Sequence, residues 1–237
     1  MTLESQDSML QRHAASAERQ TAPGTVPDLV LPSKIRNADL LESGRGTIVA
    51  AAIDLFIQNG FHNTSVDEIA ESAGLTVGGL YKYIRSKHDI LLLVAAYQAD
   101  EVFDAMSAWL TNEIDPIECL VGAVTDYIKI CDNRRKIVRI NYREAHNLNP
   151  EARKYFFALE DQQRRTLLEI VRRAAALRAG PISEKHLVLI TDGVLANAHM
   201  WAVNHRWYVG QFDVEEYAAA ETELLLNQLQ LARRKAG

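Results

Sequence analysis

Residues 64–87 read TSVDEIAESAGLTVGGLYKYIRSK, and the punctuation of this stretch decides the fold. Val66, Ile69, Ala70 and Ala73 recur at the three- and four-residue spacing of one helix stripe. Ser65 precedes them as an N-cap, and Asp67, Glu68 and Glu71 take the opposite side. Gly74 accepts the left-handed backbone that ends a helix sharply, and Thr76 then caps a second helix over 77–84. Leu80 and Ile84 of that helix pack inward, while Val77, Gly78, Tyr81 and Lys82 face outward near its N-terminal end. Two short helices joined by a glycine-containing turn form the helix-turn-helix layout, whose second helix can lie in the DNA major groove.

Any helical hairpin has such a turn, so the outward face has to carry the argument. Gly78 and Gly79 each cost about 1 kcal/mol against alanine inside a helix, an expense explained if the backbone must approach a partner closely. Tyr81, Lys82, Tyr83 and Lys87 present hydroxyl and ammonium groups of the kind that bind phosphate oxygens.

Upstream, a helix from Leu41 or Ser43 to Asn59 carries Ile48, Ala51, Ala52, Leu55 and Phe56 on one face and is stopped by Gly60. Downstream, Ser86 caps a helix from Lys87 to about Leu110, with Asp89 in a near capping box. That helix is long enough to join a head to a body, so motion at its far end can turn the head.

Arg45-Gly46-Thr47-Ile48, Ala51-Ala52, Leu55-Phe56, Gly60-Phe61, Thr64-Ser65-Val66, Ile69-Ala70, Ala73-Gly74, Leu80-Tyr81 and Lys87 together resemble the DNA-binding domain of the TetR/AcrR family of transcriptional regulators, over residues 43–104. The resemblance implies an all-α protein with a three-helix DNA-binding head and an all-helical body that binds a ligand and dimerises. It implies DNA contacts from Arg45, Thr64, Ser65, Thr76, Val77, Gly78, Gly79, Tyr81, Lys82, Tyr83 and Lys87. Two positions depart from the family pattern. Val77 stands where a basic or polar residue is common, and Ile84 where an aromatic is usual. Val77 can contact a thymine methyl or leave readout to the backbone of Gly78 and Gly79.

A net charge of −5 argues against a protein that coats nucleic acid indiscriminately. Residues 34–90 hold six Lys or Arg against seven Asp or Glu, so DNA binding has to rest on a local cluster. Lys82, Arg85 and Lys87 can form it, helped by Lys34, Arg36 and Arg45. Cys119 and Cys131 lie about 18 Å apart along one helix and cannot bridge each other; they read as buried thiols in a reducing cytoplasm. No run of 18 apolar residues calls for a membrane, and no secretory signal opens the chain.

Residues 1–38, with Pro23, Pro27 and Pro32, read as a flexible arm whose Lys34 and Arg36 either have no role or reach a minor groove. Residues 39–104 form the head and 105–237 the body. Asp115-Pro116 opens a body helix to about Asn133, a shorter one covers 134–146, and Asn149-Pro150 opens a long one to Arg178. Further helices cover Ser183 to Tyr208 and Asp213 to about Arg234, separated at Gly180-Pro181 and Gly210.

The sequence lacks HExxH, paired Cys ligands, a phosphate loop after a strand and a nucleophile elbow, so an enzyme, a metal site and a bound cofactor are not expected. The 183–208 helix is apolar nearly all round, which calls for burial on most faces. A second copy of the chain supplies the missing cover: this helix and the leucine-rich last one, through Leu195, Leu225 and Leu229, would build a four-helix bundle on a twofold axis, as the resemblance also implies. Tyr127, Arg139, Tyr142, Phe156 and Trp201 are either plain core or the wall of a small-molecule pocket. Acyl-CoA thioesters or other lipid-like molecules are the effectors the resemblance suggests. Arg164, Arg165, Arg172 and Arg173 either meet an anionic head group or form a solvated face. The expected function is a homodimeric repressor that binds a palindromic double-stranded operator and is released by a small-molecule effector. An activator with the same head is the alternative, and a helical carrier or enzyme a more distant one.

Overall fold

The computed structural model describes residues 38–231, with side chains from Ser43 onward. The N-terminal arm with Lys34 and Arg36, and the expected end of the last helix at Arg234, lie outside these residues. Two compact units emerge. One takes the chain to Val94 together with Asn147–Tyr155, and the other takes Ala95–His146 and the chain from Phe156 onward. The division therefore falls earlier than the 104/105 boundary drawn from sequence, and a later segment returns to the first unit.

In the first unit, helix α1 spans Ala38–Asn63 and is interrupted at Gly60, whose φ of 81° and ψ of 162° are closed to other residues at little cost. Ile48, Ala52 and Phe56 are fully buried along it, and Phe61, just past the break, packs its ring 5.4 Å from that of Phe56. Helix α2, Val66–Ser72, starts in a capping box: the Ser65 hydroxyl accepts from Glu68 N–H, and the Glu68 carboxylate accepts from Ser65 N–H. It ends at Gly74, φ 68°, where Leu75 N–H reaches back to Ala70 O at 2.9 Å and Gly74 N–H to Glu71 O at 3.0 Å. These two bonds satisfy carbonyls the helix end would leave open.

Helix α3 covers only Val77–Leu80, shorter than the 77–84 read from sequence. Lys82 N–H and Tyr83 N–H bond three residues back, to Gly79 O and Leu80 O, so the chain tightens into turns after one helical turn. Helix α4, Lys87–Ala108, begins in the first unit and from Ala95 belongs to the second.

The second unit holds the rest of α4, then α5 (Pro116–Asn133), α6 (Arg135–Glu144), a 3-10 turn at Ala145–Asn147 whose last residue belongs to the first unit, α7 (Pro150–Ala175, of which Phe156 onward belongs here), α8 (Glu184–Val203), α9 (His205–Tyr208) and α10 (Val214–Gln228). The expected caps are present: Asp115 accepts from Ile117 N–H, with Pro116 in the first turn, Ser183 accepts from His186 N–H, and Asp213 and Glu216 form a second capping box. The helix expected over 183–208 is broken at Asn204, whose φ of −99° and ψ of 21° divide α8 from α9. Helix α5 packs on α8 and α10, and α8 also packs on α6. Val124, Tyr127, Cys131, Leu167, Val171, Ala198 and Trp201 lie in the core between them.

The register of α8 and α10 corrects the expected dimer contacts. Leu195, Leu225 and Leu229 are 8%, 3% and 0% exposed and belong to the core of one chain, so a second copy has nothing left to cover there. The apolar side chains that remain outside are Leu189 on α8, 68% exposed, and Leu224 on α10, 56% exposed. Leu189, Gly193, Ala196 and Met200 follow one another at four- and three-residue steps, so they share a stripe of α8.

Candidate nucleic-acid interface and ligand cavity

The caps and turns of the first unit decide which expected DNA residues reach solvent. Thr76, Val77, Gly78, Tyr81 and Lys82 are exposed around α3, and Gly79 is half-buried beside the cap. The Thr76 hydroxyl accepts from Gly79 N–H at 3.0 Å, which orients the first turn. A Cβ built on Gly78 would meet no atom within 4 Å, so fold packing does not require glycine there.

Other expected contact residues serve the fold. Thr64 is buried, with its hydroxyl directed at Gly60 O, 2.8 Å away. Ser65 is spent on its capping box. Tyr83 is buried with its ring against α1, and a Cβ on Gly44 would overlap that ring; the glycine at 44 is what admits the tyrosine. Lys87 donates from Nζ to Phe61 O at 2.6 Å, Thr64 O at 2.9 Å and His62 O at 3.3 Å, and sits 4.4 Å over the Phe61 ring. It ties down the segment after Gly60. Arg85 pairs with Asp89 and Glu151, and Arg45 is half-buried. Among the described members of the expected basic cluster, Lys82 is exposed just after α3.

The second unit contains a cavity of about 250 Å³. Its walls are Ala95, Gln98 and Ala99 of α4, Val138, Asn141 and Tyr142 of α6, Phe156, Phe157, Leu159, Glu160 and Gln163 of α7, and His199 of α8, with Ala145 at the turn. Of the expected ligand residues, Tyr142 and Phe156 line it. Tyr127 is fully buried behind it and reaches it through His199, its hydroxyl 2.6 Å from His199 Nε2. Arg139 is exposed and does not line it. Trp201 lies elsewhere, stacked 4.6 Å from Tyr217, with its indole N–H donated to Asp132 at 2.8 Å. Its large apolar ring is core, and α8 turns it away from the cavity side that His199 occupies.

Burial holds His199 neutral, its pKa lowered to about 4, and raises that of Glu160 on the same wall. Burial also pushes the Cys131 thiol up to about 12, so it is an inert core group. His199 is one of the polar residues of an otherwise apolar 183–208 helix, which in the sequence either pair across a twofold axis or face an internal pocket; Glu160 was missed because no aromatic or arginine run marks its position. The cavity lining contains no lysine or arginine. Arg164, Arg165, Arg172 and Arg173 instead pair with Asp161, Asp192, Glu169 and Glu184, the solvated-face alternative. Among the described residues no group of His, Cys, Asp and Glu is arranged to hold a metal ion, and no helix is long and apolar enough to cross a membrane.

Residues 48–94 match the family model for bacterial regulatory proteins of the tetR family, and residues 113–229 match a tetracyclin repressor-like C-terminal domain. The chain is 28% identical over 207 residues to the HTH-type transcriptional regulator HbdR of Aromatoleum sp. (strain CIB), covering 86% of this chain and 88% of that protein. Among solved structures, a tetR-family regulatory protein from Rhodococcus RHA1 aligns with a TM-score of 0.69 at 22% identity, over 80% of this chain and 98% of that one. The regulator FadR from Bacillus subtilis, solved with stearoyl-CoA, aligns with a TM-score of 0.65 at 18% identity, over 77% and 98% of the two chains. AibR, solved with isovaleryl coenzyme A and operator DNA, aligns with a TM-score of 0.62 at 22% identity, over 76% and 97%. With both halves of the chain matched by family models and the helix-turn-helix geometry in place, the protein belongs to the TetR family of transcriptional regulators.

Proposed function

We propose that the protein is a homodimeric repressor that holds a palindromic operator with α3 of each copy and leaves it when a small acyl molecule enters the α4–α6–α7–α8 cavity. The observation that carries the reading is the make-up of the cavity wall. Its α4 and α7 residues lie directly beyond the points, Ala95 and Phe156, at which these helices pass from the first unit to the second. A ligand that prefers a wider separation of those two segments acts on two of the three chain connections to the DNA-binding unit. The acyl-CoA ligands of two structural neighbours support the choice of effector class. A cavity of about 250 Å³ suits an acyl group rather than a whole coenzyme A, since sites for drug-sized ligands span roughly 300–1,000 Å³.

In this reading Thr76, Val77, Gly78, Gly79, Tyr81 and Lys82 meet the DNA. The stripe of Leu189 and Ala196, exposed, with Gly193 and Met200, half-buried, meets the second copy together with Leu224, the small residues letting the helices approach. Two reading heads then address half-sites about one helical turn (~34–36 Å) or a multiple apart. The protein acts where the operator is, in the cytoplasm.

The test is a mobility-shift assay with DNA flanking the protein's own gene, followed by titration of acyl-CoA thioesters while light scattering reports size. A specific shift that acyl-CoA reverses, with the dimer intact, is the expected result. No shift would remove the operator reading, and release only through dissociation into monomers would replace the cavity switch with a dimerisation switch.

A further inference from the structure

One polar atom in the cavity has no partner. The Asn141 side chain donates from Nδ2 to Gln98 Oε1 at 3.3 Å, and its Oδ1 is buried without a hydrogen-bond donor among the described residues. Asn141 and Gln98 both line the cavity. A buried carbonyl without a donor is unfavourable, so a donor brought by a ligand is favoured at this atom. The other polar walls are Tyr142, Glu160, Gln163 and His199. His199 already shares a hydrogen bond with Tyr127, the Tyr142 hydroxyl and the Gln163 amide are neutral groups, Glu160 repels an anion when charged, and no lysine or arginine lines the space to offset that charge.

We propose that the cavity selects an apolar molecule carrying an uncharged hydroxyl or N–H that donates to Asn141 Oδ1, and that it rejects a carboxylate placed inside it. The inference rests on the effector reading of the cavity and adds the polar group by which that site tells ligands apart. An acyl effector would thus carry its donor on the acyl part, since a thioester carbonyl can only accept. Sites built around such a hydrogen bond discriminate against analogues that lack it far better than apolar walls discriminate by size.

Calorimetric titration of the full chain with 1-octanol, heptyl methyl ether and octanoate tests the assignment, because octanol and the ether have the same number of heavy atoms and only octanol donates. Octanol should bind about tenfold tighter than the ether. Octanoate should bind more weakly than octanol. Asn141→Leu should bring octanol down to the affinity of the ether without weakening the ether. Equal binding of octanol and ether by the wild type, or a preference that survives Asn141→Leu, overturns the assignment.

The Ala145→Phe variant, checked for folding by its melt, fills the cavity and should abolish octanol binding. Octanol binding that persists in it overturns the cavity reading and the inference with it. Failure of octanol to bind, while an acyl-CoA still releases the operator, overturns the donor assignment alone.

Discussion

Lys82 and Lys87 stand on the same short stretch, yet they answer different tests. The Lys87 ammonium is bonded to three carbonyls around the α1 break, and hydrogen bonds to a charged group contribute about 1.5–3 kcal/mol. Lys87→Ala should therefore lower the unfolding free energy, read from urea melts, by an amount in that range. Its operator salt slope should stay as in the wild type. Lys82 is exposed beside α3, and Lys82→Ala should leave the urea midpoint in place while lowering the salt slope by about one. A reversed pattern between the two variants would return Lys87 to the DNA face. Gly78→Leu gives a second separation: no fold atom lies within 4 Å of the added Cβ, and leucine favours the helix. Its melt should match or exceed the wild type while operator binding is lost, and normal binding would end the close-approach argument.

At the scale of elements, the helix faces decide outcomes that neighbouring leucines would not suggest. Leu224 and Leu225 are adjacent in sequence on α10, but one is exposed and the other is core. Leu225→Ala should cost about 2–5 kcal/mol of stability, as deletion of a buried leucine side chain does. Leu224→Glu or Leu189→Glu should leave each chain folded and yield monomers by light scattering, because burying an unpaired carboxylate between two copies is unfavourable. A dimer that tolerates both charges would place the interface elsewhere. Gly122 of α5 shows the same dependence on packing. A Cβ there would overlap the indole of Trp109, whose N–H is held by Asp126 at 2.8 Å. Overpacking costs about 1–3 kcal/mol against the roughly 1 kcal/mol that alanine returns to a helix. Gly122→Ala should thus lower the denaturation midpoint, although alanine is the better helix former.

For the whole molecule, the half-buried His199 couples the cavity to pH. Its folded pKa of about 4 lies below the ordinary 6.5, because burial penalises the imidazolium. Between these values the unfolded chain binds the proton and the native one does not, so this contribution to stability is full above pH 6.5 and is lost as pH falls toward 4. The loss is on the order of 3 kcal/mol. Glu160, raised by burial, works in the opposite sense, its contribution fading as pH rises. Urea melts of the wild type and His199→Gln at pH 7 and pH 5 isolate the histidine. The variant should lose less stability on acidification, and parallel loss in both proteins would show that His199 takes up its proton in the native state.

The all-helical class, the caps at Ser65, Thr76, Asp115, Ser183 and Asp213, the glycine turn at Gly74 and the membership in the TetR family were legible in the sequence, because each rests on local spacing and on backbone conformations that few residues accept. The early end of α3 and the break at Asn204 were not. Hydrophobic periodicity persists through both places, and only the backbone hydrogen bonds stop the helices. The tertiary structure alone decided which polar side chains are spent inside the fold. Lys87 reaches carbonyls more than twenty positions away, and Tyr83 enters the space left by Gly44. The cavity, too, required packing: Gln98, Asn141, Glu160 and His199 come from four helices, and no spacing along one chain segment records that they share a wall. Local preference governs where helices begin and turn, whereas burial depends on contacts between distant segments, which a linear pattern does not contain.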